Sequence, residues 1–94
     1  MEYEMMSIEG LWEALEEAKS ESGDLECARI LAMLCKRIGQ SGDYQQAVNV
    51  GYAGVEYFRK IGDGAGEAQL LHDIAVGHSR AKEYILAIPL LERA

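Results

Sequence analysis

The sequence predicts an all-α protein in which antiparallel helical hairpins stack side by side. Residues 28–48 are repeated at residues 68–88, forty positions later, so that Leu31 is matched by Leu71. A fixed period of about 20–50 residues is typical of a solenoid, in which each unit buries its apolar face against the next unit. Apolar residues also recur at spacings of three and four, as on an amphipathic helix, and the sequence shows no strand-like alternation.

The apolar stripes predict five helices separated by short turns. These helices cover about residues 5–20, 24–40, 44–58, 65–80 and 83–94. The turns are the two S-G-D sequences at 22–24 and 41–43 and the G-D-G sequence at 62–64. Glycine ends one helix in a left-handed conformation and aspartate caps the next, and such short loops make neighbouring helices antiparallel. Pro89 predicts a kink near Ile85, because proline removes one helical hydrogen bond.

Equivalent positions of the two repeats predict the hydrophobic core. The predicted core residues are Leu31, Leu34, Cys35, Tyr44, Ala47, Leu71, Ile74, Ala75, Tyr84 and Ala87. Gly51 and Gly54 in the third helix predict a loosened element, since glycine costs a helix up to about 1 kcal/mol relative to alanine. His78 falls on the apolar stripe and is interpreted as a core or interface histidine.

The motif G-D-Y-Q-Q-A-V at 42–48, after a helix with L-x-x-L-C, resembles the tetratricopeptide repeat. The family's positions are filled here by Leu34, Cys35, Gly42, Tyr44, Ala47 and Gly54, and then by Ile74, Ala75, Tyr84, Ala87 and Ala94. The forty-residue spacing is similar to the longer-repeat variety found in Pins/LGN-type scaffolds and bacterial signalling regulators. The resemblance implies one domain, a short right-handed TPR-like α-solenoid of five helices. Its parts would be a capping N-terminal helix (1–22), a repeat (24–62) and a truncated repeat (64–94).

Charge and composition exclude several classes of partner. Nine acidic residues and one lysine fall within residues 1–26 of a chain whose net charge is −7. Such a surface repels phosphate backbones, so no nucleic-acid partner is expected. No apolar run approaches the roughly 18 residues that span a bilayer, and the N-terminus lacks the pattern of a signal peptide. We therefore expect a cytoplasmic protein without a membrane partner. The acidic face is interpreted as a solvated surface, with steering of a basic partner as the alternative.

The sequence predicts no catalytic, cofactor-binding or metal-ligating site. His72 and Asp73 are adjacent and project about 100° apart, and His72 and His78 lack the three- or four-residue spacing of helical metal ligands. Cys27 and Cys35 lie about 12 Å apart along one helix. A disulfide needs Cα atoms within about 7 Å, so both are interpreted as small buried side chains.

The outer stripe of the second and fourth helices is the candidate binding surface. In the tetratricopeptide family this stripe lines a concave groove that holds a peptide. The residues concerned are Arg29, Met33, Lys36, Gln40, Gln69, His72, Asp73, Val76 and Arg80. Arg29, Lys36, His72 and Arg80 would contact acidic groups of such a peptide. The family's carboxylate clamp is not matched, because Ala32 and His72 stand at the place of its first lysine. A plain solvated face is the alternative.

These observations predict a non-enzymatic module that binds a protein or peptide partner. The alternatives are a self-association module and the N-terminal fragment of a larger repeat regulator, and a small enzyme is not favoured because no catalytic constellation is readable. For self-association we expect a homodimer through the fourth and fifth helices, because apolar residues there lack a covering repeat. The candidate interface residues are Ile85, Ile88, Leu90 and Leu91.

Overall fold

The computed structural model describes the backbone of residues 5–93 and the side chains of residues 5–21 and 23–82. Within that range the protein is all-α and contains no strand, which confirms the predicted class. The four α-helices are α1 (Ile8–Glu17), α2 (Asp24–Gln40), α3 (Tyr44–Ile61) and α4 (Gly64–Arg93), and a π-helical turn (Ala18–Ser22) follows α1. Each helix packs on the next one along the chain, and α4 also reaches α2.

Helix α1 begins at a side-chain cap and ends in the π-helical turn. The Ser7 hydroxyl accepts a hydrogen bond from the Gly10 N–H at 3.0 Å, which satisfies one of the free donors of the first turn. At the other end the Gly23 N–H donates to the Ala18 carbonyl, five residues back, at 3.1 Å. Gly23 has a φ of 86°, which turns the chain into α2.

Glycine and aspartate make the next two turns, as the sequence predicts. Gly42 has a φ of 98°, and the Asp43 carboxylate accepts from the Gln46 N–H at 3.2 Å. Gly62 has a φ of 73°, and the Asp63 carboxylate accepts from the Gly66 N–H at 2.9 Å. Both glycines occupy a backbone region that favours residues without a Cβ atom.

An ion pair also spans the α3–α4 turn. Arg59 Nε lies 2.7 Å from Glu67 Oε2, so the last turn of α3 is tied to the first turn of α4.

The predicted break between a fourth and a fifth helix is not observed, because α4 continues to Arg93. The forty-residue repeat explains this difference. The turn sequence Ser41-Gly42-Asp43 is replaced at the equivalent place by Ala81-Lys82-Glu83. This segment lacks both the glycine that ends a helix and the short polar cap that starts the next, and its residues are good helix formers.

The structure confirms half of the predicted core residues. Leu31, Leu34, Cys35, Ala47 and Ile74 are all buried. The prediction is wrong for Leu71, which is 38% exposed, and for Ala75, which is also exposed. Tyr44 is half-buried, and the side chains of Tyr84 and Ala87 lie outside the described residues.

The two repeats differ in how many of their faces are covered. Helix α2 lies between α1 and α3 and is buried on both sides, with Ile30 and Leu34 fully enclosed. Helix α4 packs on α3 through the equivalent residues Leu70 and Ile74. The side of α4 that carries Leu71 and Ala75 has no packing partner among the described side chains, which explains why the core prediction fails there.

Glycines bring α3 close to its neighbours, while their expected cost to the helix itself stays a prediction. A Cβ atom on Gly51 would lie 2.6 Å from Ile74 Cγ1 and 3.1 Å from Cys35 Sγ. A Cβ atom on Gly54 would lie 2.6 Å from Leu70 Cδ2. These distances are below the normal contact range, so the helices could not sit this close with larger residues.

Candidate functional site

A cavity of about 370 Å³ lies between α2 and α4, and we call it the α2–α4 groove. The first turn of α3 closes it from below. Its lining residues are Cys35, Lys36, Gly39 and Gln40 from α2, Tyr44 and Ala47 from α3, and Asp73, Val76, Gly77 and Arg80 from α4. This volume lies at the small end of the range for ligand sites, about 300–1,000 Å³.

The groove has an apolar floor and a polar rim. Cys35 and Ala47 are buried on the floor, and Val76 on the wall is 41% exposed. Lys36 and Arg80 stand on opposite sides of the rim, each exposed. An apolar base with a few polar groups above it is the usual composition of a site that orients a bound segment.

Two glycines line the groove. Gly39 lies beside α3, and a Cβ atom there would make an ordinary contact with Ala47 Cβ at 3.7 Å. Gly77 lets α4 approach α3, since a Cβ atom there would lie 3.1 Å from Val48 Cγ2. The sequence analysis did not assign either glycine to the site. A glycine within the apolar stripe of each facing helix is the signal that could have identified them.

The groove brings together five of the nine residues predicted for peptide binding. These five are Lys36, Gln40, Asp73, Val76 and Arg80. They come from both forty-residue repeats, as the matching stripes predict. Their role in binding a peptide stays a prediction.

The other four predicted residues lie outside the cavity. Arg29 pairs with Glu26, Nη1 to Oε1 at 3.5 Å, and Met33 packs against the core. Gln69 donates a hydrogen bond to the Asp73 carboxylate at 3.5 Å, and His72 is exposed. Gln69 therefore contributes only by orienting a rim residue.

Two cations stand on the rim, Lys36 and Arg80. Within the part of the chain that the structure describes, neither Lys36 nor Arg80 forms an ion pair with a carboxylate. Asp73, half-buried between them in the lining, supplies an acceptor. The rim can thus hold anionic groups at two points and a hydrogen-bond donor at a third.

Cys35 on the floor is a poor nucleophile. Burial raises the pKa of its thiol to about 11, and the negative charge of Asp73 contributes to the rise. The thiol therefore stays protonated at neutral pH, and the thiolate is the reactive form of cysteine.

The second histidine, His78, lies outside the core, so the core half of its interpretation is wrong and a place at an interface stays a prediction. His78 is exposed, and its Nε2 lies 3.4 Å from Tyr52 Oη. The two rings are tilted by 57° with centroids 6.2 Å apart. Among the described side chains, no group of three or more histidine, cysteine or carboxylate residues is arranged to hold a metal ion.

The candidate oligomer interface, Ile85, Ile88, Leu90 and Leu91, lies outside the described side chains. Of the helices searched over the described residues, none has both the length and the apolar character needed to cross a bilayer.

Comparison with protein-family models, with curated proteins and with solved structures finds no match for the chain. The tetratricopeptide resemblance therefore rests on the residues of this sequence alone.

Proposed function

We propose that the protein is a non-enzymatic interaction module that binds a peptide segment of a partner protein in the α2–α4 groove. The observation that carries the proposal is the groove itself, an apolar floor of about 370 Å³ beneath a rim of two cations and one acceptor. Its position between the outer stripes of α2 and α4 agrees with the concave surface that the tetratricopeptide resemblance implies. The same resemblance supports a solenoid-like arrangement of the helices.

The chemistry of the rim defines the segment that would bind. An apolar side chain would contact Val76 and the floor, and acidic groups would pair with Lys36 and Arg80. A cavity of this size holds one or two side chains rather than a folded domain.

A peptide-display screen with a matched pair of variants tests the proposal. Peptides are selected on the wild-type protein, and the enriched sequence is titrated by calorimetry against Val76→Glu and Leu71→Glu. Both residues lie on α4 and are similarly exposed, at 41% and 38%, but only Val76 lines the groove.

The expected result is a peptide with acidic and apolar residues whose affinity falls at least tenfold with Val76→Glu and stays unchanged with Leu71→Glu. Equal affinities for the two variants would move the binding site away from the groove. Failure to enrich any peptide would count against peptide binding altogether.

Self-association is a second candidate function, and the uncovered side of α4 favours it.

A further inference from the structure

The α4 wall of the groove carries two opposite charges in one line. Asp73 and Arg80 both line the groove and are seven residues apart, about two helical turns. Residues with this spacing project from nearly the same side of a helix and lie about 10.5 Å apart along its axis. Val76 lies between them and is apolar. Along this wall a ligand therefore meets a negative, an apolar and a positive group in that order.

Contacts with α3 show where the cation of the opposite wall stands. Cys35 Sγ and Ile74 Cγ1 lie 3.1 and 2.6 Å from the Cβ position of Gly51, so Cys35 of α2 and Ile74 of α4 are at the same height. Lys36, the next residue of α2, therefore stands across the groove from the middle of the α4 wall. The groove thus has a cation on each wall but a carboxylate at one end of the α4 wall only.

The carboxylate of Asp73 is held in place at the edge of the floor. Gln69 on the preceding turn donates a hydrogen bond to it at 3.5 Å, and Asp73 is half-buried. Its negative charge acts on the floor, because after burial itself it is the second cause that raises the pKa of the Cys35 thiol. Among the described residues Asp73 forms no ion pair with a cation. A carboxylate in such a place attracts a cation and repels a second carboxylate.

The charge of the whole chain also disfavours a strongly acidic ligand. The net charge is −7, so a segment rich in aspartate and glutamate is repelled before it reaches the groove. It would then meet Asp73 inside the groove. A segment that carries both signs of charge avoids both penalties and can still pair with Arg80 and Lys36.

We propose that the segment bound in the α2–α4 groove carries a basic residue and an acidic residue on opposite sides of an apolar residue. The basic side chain pairs with Asp73, the apolar side chain contacts Val76, and the acidic side chain pairs with Arg80. Three extended residues span about 10 Å, which matches the distance between the two charges along α4. The inference rests on the proposed function and adds a basic residue to the acidic and apolar residues expected there.

A set of nine synthetic peptides tests this charge order. Each peptide has a central leucine in a glycine–serine background, with lysine, glutamate or glutamine on either side of the leucine. Binding to the wild-type protein is measured by fluorescence polarisation. Of the two mixed peptides, the one whose order fits the direction of the bound chain is expected to bind about fivefold more tightly than the double-glutamate and double-lysine peptides.

Variants of the protein show which charge sets the preference. Asp73→Lys should reverse it, so that the double-glutamate peptide binds most tightly. Asp73→Asn, which removes the charge with little change of shape, should make the double-glutamate peptide bind at least as tightly as the mixed one. Glu56→Lys is the matched control, because it changes the net charge as much as Asp73→Lys at an exposed place on α3 outside the groove. It should keep the order of the wild type.

Two results would overturn the inference and leave the proposed function standing. One is a wild-type protein that binds mixed peptides no better than the double-glutamate peptide, and the other is an Asp73→Lys variant that keeps the wild-type preference. In both cases, loss of binding with Val76→Glu would still place the peptide in the groove. Binding by none of the nine peptides also overturns the inference, and the peptide-display screen then decides the proposed function separately.

Discussion

Replacing Gly51 by alanine tests how closely α3 packs between its neighbours. Helix propensity alone would make this change stabilising by about 1 kcal/mol, since alanine favours the helical backbone. Packing opposes it, because the new methyl group would lie 2.6 Å from Ile74 Cγ1 and 3.1 Å from Cys35 Sγ. Ile74 is buried and β-branched, and therefore cannot move its side chain aside.

The two effects can be weighed against each other. Overpacking of a filled core costs about 1–3 kcal/mol, and contacts on two sides place Gly51→Ala at the upper end. After subtracting the gain in propensity, we expect the free energy of unfolding to fall by about 2 kcal/mol. With a urea m value of about 2 kcal/mol/M, the midpoint of unfolding would fall by about 1 M.

The assay is urea unfolding followed by circular dichroism, with Gly10→Ala as the matched control. Gly10 also lies in a helix, but a Cβ atom there would meet nothing closer than Ser7 Oγ at 3.4 Å. Gly10→Ala should therefore leave the midpoint unchanged or raise it. If Gly51→Ala raised the midpoint as well, α3 and α4 would not be as close as the structure places them.

Three further predictions concern stability. Leu70→Ala should lower the free energy of unfolding by about 2–5 kcal/mol, because Leu70 is buried. Leu71→Ala should lower it by less than about 1 kcal/mol in dilute monomer, because Leu71 is exposed. Equal losses in urea unfolding would mean that the inward face of α4 is assigned wrongly. Asp63→Ala should cost about 1 kcal/mol by removing the cap on the Gly66 N–H, and an unchanged midpoint would argue against the cap. Because the pKa of Cys35 rises from 9.0 to about 11 on folding, the unfolded thiol ionises first and stability should decline as the pH rises from about 9 to 11. Cys35→Ala should reduce that decline, leaving the part that comes from Tyr57, whose pKa burial also raises; an unchanged decline would argue against a role for Cys35.

Turn chemistry is the part of the fold that the sequence predicts best. Gly42 and Asp43 end one helix and begin the next because their conformational freedom and side-chain hydrogen bond are local properties. Local reasoning also contains the information that α4 is continuous, since Lys82 and Glu83 offer neither property. The prediction of a turn was wrong because the similarity between residues 28–48 and 68–88 was assumed to extend to the turn within each segment.

Which side of α4 faces inward could not be predicted from periodicity. Leu70 and Leu71 are adjacent and equally apolar, so either could belong to the buried stripe. Packing on α3 selects Leu70, and Leu71 would be buried only if a further helix covered the side of α4 that carries Leu71 and Ala75. Lys36 and Gln40 were predictable because exposed polar positions repeat on matching stripes. The places of Gly39 and Gly77 depend on their contacts with α3, which no local pattern reveals.

The close contact at Gly51 limits the modularity of this chain. Leu11 occupies the equivalent place forty residues earlier and is fully buried on α1, which packs on α2, whereas Gly51 faces α2 on one side and α4 on the other. The repeats are therefore similar in sequence, but residues at equivalent positions cannot be exchanged, because the space around them differs. An array built by duplicating residues 5–44 would place a leucine at the position of Gly51, where the helices on both sides leave room only for a hydrogen atom. Each inner copy would need smaller residues on the neighbouring helices before it could stack.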